Sequence, residues 1–131
     1  MSANFEKVKG FLLDLDLNIT HENEAEELVV VRDEESGISN LIVDCEDPIV
    51  IFEQPIMPVP KDSADFYKRL LQMNRTLVHG AFVLNEDASM IFFRDTLQLE
   101  NLDKNELEGS ISALSLALAE NAAELLAFSK K

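Results

Sequence analysis

The chain has 131 residues, of which 47% are hydrophobic and 27% charged, and its 25 acidic and 11 basic residues give a formal net charge of −14. This length and apolar content predict one folded domain, residues 1–131, and argue against wholesale disorder. The negative charge repels phosphate backbones and anionic lipid surfaces, which disfavours nucleic acid as a partner. Solubility alone is a second explanation of the acidity.

Cysteine use and hydropathy bear on the cellular compartment. Cys45 is the only cysteine, so an intramolecular disulfide or a multi-thiolate metal site is not expected. The first residues lack the basic and apolar regions of a signal peptide, and no apolar run of ~18 residues is expected anywhere in the chain. We therefore expect a cytoplasmic protein without direct membrane insertion.

The first predicted element is an amphipathic helix. Phe5, Val8, Leu12 and Leu15 recur at steps of three and four residues, and Ser2 or Asn4 is a candidate N-cap. The acidic stretch 21–27 that follows has no apolar period. It is interpreted as a connecting loop or a sheet edge.

Three short β-rich runs come next, at residues 28–31, 40–44 and 48–52, separated by turn-forming segments. They predict an antiparallel meander. Pro55, Pro58 and Pro60 remove backbone donors in close succession. The third strand is therefore expected to end there or to run on as a sheet edge.

The second half of the chain predicts a helix, a hairpin and a long helix. Residues at helical spacing after a cap at Asp62 or Ser63 are Phe66, Leu70, Met73 and Leu77. Strands at 79–84 and 89–94 flank a turn at 85–88. The last helix begins near Asp103 and carries one apolar stripe: Leu107, Ile111, Leu114, Leu118, Ala122 and Leu125. The order α-β-β-β-α-β-β-α predicts an α+β fold with helices packed on an antiparallel sheet.

Two strands are apolar on both sides. In the segments 49–52 and 90–93, consecutive hydrophobic residues must point to opposite faces of the sheet. Three helices can cover one face, whereas the second face requires another partner, because monomers rarely expose such patches. This pattern predicts a homodimer.

A search for catalytic or metal-binding patterns predicts neither. His21 and His79 belong to no metal-ligand spacing, and the carboxylates beside Cys45 disfavour its thiolate. The four glycines are scattered singly, which is atypical of a phosphate-binding loop. We expect no catalytic residue, no metal, no cofactor and no enzymatic activity.

The candidate partner-binding residues surround the prolines after the third strand. Extended segments dock on strand edges and apolar sheet faces, and the residues expected to form such a surface are Ile49, Ile51, Phe52, Ile56, Met57 and Val59. Alternatively, the 56–59 segment caps the core of its own domain. A similar choice concerns the last helix, whose many serines and alanines permit close packing against its own sheet or against a partner.

Several segments of the second half resemble a known superfamily. Asn74-Arg75, the hairpin 79–87, the strand 91–99 and the helix start 102–107 are similar to the type III secretion chaperone-like superfamily, which includes the Tir-chaperone (CesT) and YbjN-like proteins. The same α-β-β-β-α-β-β-α order is found there. Within the superfamily the chain most resembles a bacterial family often encoded near phage-shock-protein-A-like genes. The Asp87-Ala88 turn lacks the glycine often found at that point.

The resemblance implies a secretion-chaperone-like domain that forms a homodimer and binds an extended segment of a client protein, without cofactor or ATP. The leading hypothesis is a non-catalytic adaptor or regulator that binds a protein client or regulatory partner. The alternative is a small-ligand sensor with an apolar pocket between sheet and helices.

Overall fold

The computed structural model describes residues 2–130. Its elements in chain order are α1 (Ala3–Asp14), β1 (Asn18–Asn23), β2 (Leu28–Asp33), β3 (Ile38–Glu46), β4 (Ile49–Pro58), α2 (Ala64–Thr76), β5 (Ala81–Leu84), β6 (Met90–Gln98) and α3 (Lys104–Ser129). A short 3₁₀ turn (Glu34–Ser36) separates β2 from β3. The strands form one six-stranded sheet in the order β1-β2-β3-β4-β6-β5. All neighbouring pairs are antiparallel, which confirms the predicted α+β class.

The sheet contains one more strand than the sequence predicts. β1 occupies part of the acidic stretch and pairs with β2 at the outer edge of the sheet, with a register shift between Ile19 and His21. Only one of its residues, Ile19, is aliphatic. An edge strand needs little burial, so it lacks the apolar signal by which strands are detected.

β4 does not end at the prolines. It pairs with β3 only as far as Glu53, but it continues along β6 to Pro58 with a register shift between Pro55 and Met57. The prolines are tolerated because this half of β4 pairs on one side only. On the other side the Gln54 amide accepts from the Ser39 N–H (3.1 Å) and donates to the Gly37 carbonyl (3.3 Å). That buried amide replaces the missing backbone contacts between the two strands.

The two faces of the sheet differ in burial. Alternate strand residues are fully buried and define the inner face: Val29, Val31, Leu41, Val43, Val50, Phe52, Phe82, Ile91 and Phe93. The helices pack on this face. The side chain of α1 residue Lys9 bonds Glu22 of β1 (3.1 Å), and Ser110 of α3 donates to Asp95 of β6 (2.7 Å).

The predicted first helix is confirmed, except that Leu15 lies just beyond its end as the C-cap. The Ser2 hydroxyl caps α1 by accepting from the Phe5 N–H at 3.1 Å. Phe5, Val8 and Leu12 are all fully buried beneath the helix. The helical period of these three residues therefore directs the helix onto the sheet.

α2 is held to the sheet by a paired hydrogen bond. The Asn74 amide accepts from the backbone N–H of Phe82 (2.8 Å) and donates to the same residue's carbonyl (3.2 Å). Asn74 thus acts as a neighbouring strand for part of β5, which otherwise pairs only with β6. The position requires a side chain that can both donate and accept a hydrogen bond, which the asparagine amide provides.

α3 is the longest helix, with 26 residues, and begins at a cap in which Asp103 accepts from the Glu106 N–H at 2.7 Å. Its length and composition would suffice to cross a membrane, contrary to the expectation from the sequence that no such segment exists. In this fold Leu107, Leu114 and Leu125 are buried against the sheet. One face of the helix therefore belongs to the core, although only 28% of its most apolar 18-residue window is buried. Ala122, predicted to lie in the core stripe, is exposed.

Candidate functional site: the outer face of the sheet

The outer face of the sheet carries apolar side chains that no helix of residues 2–130 covers. It consists of the strand residues that alternate with the buried set, and their apolar members include Leu28, Val30, Ile42, Ile49, Ile51, Val83 and Phe92. Each of these side chains is partly exposed. Together they form an apolar surface across five of the six strands, from β2 to β5.

Strand pairing brings these residues into rows. Val30 of β2 pairs with Ile42, which pairs with Glu53 of β4. In the next row Asp44 pairs with Ile51 on one side and with Leu28 on the other. Directly opposed side chains lie ~4.5–5.5 Å apart at Cβ, so apolar and acidic groups lie side by side on one continuous surface.

Charged groups on this face are mainly acidic. Asp44, Glu46 and Glu53 lie on it, and Glu53 forms an ion pair with Arg94 at 3.3 Å. Oδ1 of Asp44 is buried and accepts no hydrogen bond. Burial, together with the nearby carboxylates of Glu46, Glu26 and Glu53, raises the pKa of Asp44 to about 6. A negative charge is therefore disfavoured at Asp44.

Replacing Asp44 with asparagine is expected to stabilise the fold above pH 7. The pKa of Asp44 is higher in the folded chain than in the unfolded one, so its contribution to stability is present below pH ~4 and is lost as the pH rises through about 6. Asp44→Asn removes that loss, and we expect a gain of about 1–2 kcal/mol at pH 7.5 after allowance for solvent screening. Denaturant titrations at pH 7.5 and pH 4.5 measure the free energy of unfolding of the wild type and the variant. Asp47→Asn, at an exposed residue, is the control. An equal change at both pH values would contradict it.

The structure separates the six predicted binding residues. Ile49 and Ile51 lie together on the outer face and are partly exposed. Phe52 and Met57 are 2% and 8% exposed and belong to the core, because β4 alternates its side chains between the two faces. These two side chains do not form part of the outer surface.

Ile56 and Val59 lie at a different place, packed in part against the core. Ile56 and Met57 line an apolar cleft of about 210 Å³ together with residues near the C-terminal end of α3, including Leu118, Leu125 and Leu126. The 56–59 segment therefore covers its own core in part, as in the alternative drawn from the sequence. The outer face, which carries Ile49 and Ile51, and the cleft, which is lined by Ile56 and Met57, are separate surfaces of β4.

Cys45 has no nucleophilic character in this setting. Its side chain is 7% exposed, and burial raises the pKa of the thiol to about 12, with further contributions from Glu27, Asp44 and Glu46. A catalytic thiol requires the opposite shift, towards a stabilised thiolate. The electrostatics therefore favour an inert, structural cysteine.

His79 lines a polar cleft of about 410 Å³ beside the first turns of α3, with Glu106, Glu108 and Ser110. Ser110 donates its hydrogen bond to Asp95 at 2.7 Å. Nucleophilic catalysis needs the histidine between the serine and the carboxylate, acting as the base. Here the carboxylate accepts directly from the hydroxyl, so the arrangement does not activate the serine.

The arrangement of metal-ligating side chains and the size of the clefts bear on whether the chain holds a metal ion or a small ligand. Within residues 2–130, no three or more His, Cys, Asp or Glu side chains are grouped so as to hold a metal ion. Two apolar clefts beside α3 measure about 210 and 80 Å³, below the ~300–1,000 Å³ usual for small-molecule sites. A third cleft beside α3, of about 330 Å³, is lined in part by Glu34 and Glu35 and is not an apolar pocket between sheet and helices. These dimensions offer no support for a small-ligand sensor.

Sequence reasoning missed Val30, Ile42 and Asp44 as members of the outer face, and it placed Phe92 in a segment that is apolar on both sides without counting it among the binding residues. The alternation within each strand was visible in the sequence, but the neighbours of Ile51 depend on register and strand order. Asp44 stood out only as one of many carboxylates. Its apolar neighbours, Leu28 and Ile51, are evident only after β2, β3 and β4 are aligned.

Comparison with solved structures shows the same fold in proteins of low sequence identity. YbjN of E. coli, described as a putative transcription regulator, has a TM-score of 0.70 at 13% identity, with 92% of each chain covered. The Yersinia pestis type III secretion chaperone SycH, solved with a fragment of YscM2, has a TM-score of 0.62 at 12% identity and covers 89% of this chain and 98% of its own.

A third similar structure is the HopA1-SchA chaperone-effector complex, with a TM-score of 0.63 at 13% identity over 98% of this chain and 97% of the other. A search of curated protein sequences gave no significant match. The CesT_Tir_1 family model, in contrast, matches residues 1–131. The chain therefore belongs to the CesT_Tir_1 family, with the fold of YbjN and of the type III secretion chaperones.

Proposed function

We propose that this protein is a non-catalytic, chaperone-like binding module or regulator that holds an extended segment of a partner protein on the outer face of its sheet. In this proposal it acts as a single domain, as a homodimer, in the cytoplasm. The observation that carries the proposal is the uncovered apolar surface around Ile49 and Ile51. The two chaperones of similar fold were solved with a YscM2 fragment and with the effector HopA1, which supports a protein as the partner class.

The outer face suits an extended segment. An extended chain presents alternate side chains at a spacing of ~6.5–7 Å, and the rows of an antiparallel sheet provide apolar contacts at a comparable spacing. Burial of apolar side chains contributes ~25 cal/mol per Å² of surface removed from water. An apolar partner segment lying across Ile42, Ile51 and Phe92 would therefore gain its affinity from area rather than from a deep pocket.

The charges on this face indicate the chemistry of the partner. Asp44 and Glu46 have no cationic partner among the salt bridges of the described residues, whereas Arg94 is already paired with Glu53. Lysine or arginine side chains of the partner would satisfy these carboxylates. We infer a segment in which apolar residues alternate with basic ones.

Ile51→Lys is the variant that tests this surface. The new ammonium group lies opposite Asp44 in the β3–β4 register, so an attractive cross-strand pair compensates for the lost apolar contact within the sheet. We expect the melting temperature to change little, while affinity for the captured partner falls at least ~10-fold, or ~1.4 kcal/mol. Pull-down from lysate with quantitative mass spectrometry identifies the partner, and titration with the purified partner measures the affinity.

Two further variants serve as controls. Leu71→Lys changes a leucine that is 71% exposed on α2, away from the outer face, and should leave capture intact. Met57→Asp alters a core residue and should reduce stability and capture together. Undiminished capture by Ile51→Lys, or equal loss with Leu71→Lys, would overturn the proposed binding face.

A further inference from the structure

Asp44 lies within the apolar part of the outer face. In the strand register its side chain is opposed by Leu28 of β2 on one side and by Ile51 of β4 on the other. Ile42 lies two residues before it on the same strand and on the same face. Oδ1 of Asp44 is buried and finds no hydrogen-bond donor among residues 2–130. A carboxylate that has lost water on one oxygen without gaining a partner is disfavoured in its charged form.

Three other carboxylates lie close enough to Asp44 to repel its negative charge. Glu46 follows it on the same face of β3, Glu53 lies diagonally across on β4, and Glu26 precedes β2. Burial, with the help of these carboxylates, raises the pKa of Asp44 to about 6. Asp44 therefore changes its charge between about pH 5 and pH 7.

The arginines on β2 and β6 are already paired with acidic side chains. Arg94 of β6 is paired with Glu53 at 3.3 Å, and Arg32 of β2 is paired with a glutamate of the turn that follows. His21 is exposed on β1, two strands away from Asp44. Among residues 2–130, no ion pair neutralises Asp44. A cation that relieves this carboxylate would have to come from a bound partner.

We propose that a lysine or arginine side chain of the bound segment pairs with Asp44 and displaces a proton from it, so that binding on the outer face strengthens as the pH rises. This inference rests on the proposed function and adds the regulation of the same face. The carboxyl group loses its proton to water, and the carboxylate that remains pairs with the ammonium or guanidinium group of the partner. Acid returns the proton to Asp44 and releases the segment.

The direction of the effect follows from the free and bound states of Asp44. In the free protein half of the molecules carry the proton near pH 6. A cation in contact favours the charged form and brings the pKa of Asp44 back towards ~4, the ordinary value for aspartate. Below pH 6 the segment must therefore displace a proton in order to bind, and its affinity falls with the pH. Between pH 7.5 and pH 5 these two pKa values correspond to a loss of affinity of about 10-fold.

Titration with synthetic peptides tests this coupling. The probe is a short peptide in which lysine alternates with valine, and the matched peptide has glutamine in place of lysine. At fixed ionic strength, calorimetry should give a Kd for the lysine peptide that is about 10-fold higher at pH 5 than at pH 7.5. The glutamine peptide should bind without this pH dependence. At pH 6, calorimetry in two buffers of different ionisation enthalpy should show release of about half a proton for each lysine peptide bound.

Three variants assign the effect to one carboxyl group. Asp44→Asn should bind the lysine peptide at both pH values with the affinity that the wild type shows at pH 5, and it should release no proton. Asp47→Asn, at an exposed carboxylate of the turn after β3, should keep the wild-type pH dependence. His21→Gln should keep it as well, although histidine titrates in the same range. Circular dichroism at each pH confirms that the variants are folded.

The outcomes separate this inference from the proposed function. An equal Kd for the lysine peptide at pH 5 and pH 7.5, or a pH dependence that persists in Asp44→Asn, overturns the inference and leaves the binding face intact. Loss of the pH dependence in His21→Gln assigns it to the histidine and overturns the inference as well. Failure of both peptides to bind at either pH overturns the inference together with the alternating segment inferred above. Undiminished binding of the lysine peptide by Ile51→Lys overturns the binding face itself.

Discussion

Phe66→Ala is expected to lower the free energy of unfolding by about 3–5 kcal/mol, the range found when a buried phenylalanine is truncated. Phe66 is fully buried at the start of α2 and meets the ring of Phe128 on α3 edge-on, with 5.2 Å between ring centroids. The ring of Tyr67 lies 6.2 Å away. Truncation leaves a cavity between α2 and α3 that neither helix can close without moving away from the sheet.

Urea unfolding followed by circular dichroism measures this change. Domains of this size have stabilities of ~5–15 kcal/mol, so Phe66→Ala should remain measurable but strongly weakened. Phe66→Leu, which keeps most of the volume, should lose markedly less. Leu71→Ala on the same helix changes a residue that is 71% exposed and should alter stability by less than ~0.5 kcal/mol. A loss below ~1 kcal/mol in Phe66→Ala would show that α2 and α3 are not packed as described.

Gly80→Ala should be the next most damaging of the proposed changes, with a loss of about 2–5 kcal/mol. Gly80 has φ +76°, in the left-handed region. A Cβ atom there would lie 2.4 Å from Cζ of Phe93 and 3.0 Å from the carbonyl oxygen of Arg94. Phe93 is 1% exposed and meets Phe82 edge-on at 6.1 Å, so it has no free space to occupy. The chain can therefore enter β5 beneath this ring only with glycine.

Gly109→Ala is the matched control for this substitution. Gly109 lies inside α3, and a Cβ atom there meets nothing within 4 Å. Alanine is favoured over glycine within helices by roughly 0.5–1 kcal/mol, so Gly109→Ala should raise the melting temperature while Gly80→Ala lowers it. Equal effects of the two substitutions would refute the proposed close approach at Gly80.

The helices were predictable because their signals are local. The period of Phe5, Val8 and Leu12 fixes the buried face of α1, and Ser2 and Asp103 are caps that the sequence suggested. α3 departs from its predicted stripe at one position. Asn121 is buried because its amide donates to the Ala117 carbonyl at 2.9 Å within the same helix. Because this hydrogen bond within the helix satisfies its amide, Asn121 can occupy the core position that hydropathy assigns to its neighbour Ala122.

The sheet was less predictable, because its pairing joins residues far apart in sequence. β4 continues through Pro55 only because β6 supports it on one side and the Gln54 amide on the other. The extent of the outer face likewise depends on contacts between residues far apart in sequence. Ile49, Ile51 and Phe92 were identified as parts of strands that are apolar on both sides, whereas Val30 and Ile42 join them only through register. Alternation within one strand identifies some residues of a sheet surface, but the pairing and register of the strands determine which residues lie next to them.

The two outermost strands differ from the inner four in ways that limit pairing with further strands. β1 is polar, contains a register shift and carries Glu22 near the shift, while β5 at the opposite margin is only four residues long. A polar, irregular edge strand and a very short one both disfavour pairing of the sheet edges with further strands. If the outer face binds partner segments as proposed, these protected edges keep the sheets of separate copies from joining edge to edge. A segment held through side-chain contacts alone could then be released without breaking a ladder of backbone hydrogen bonds.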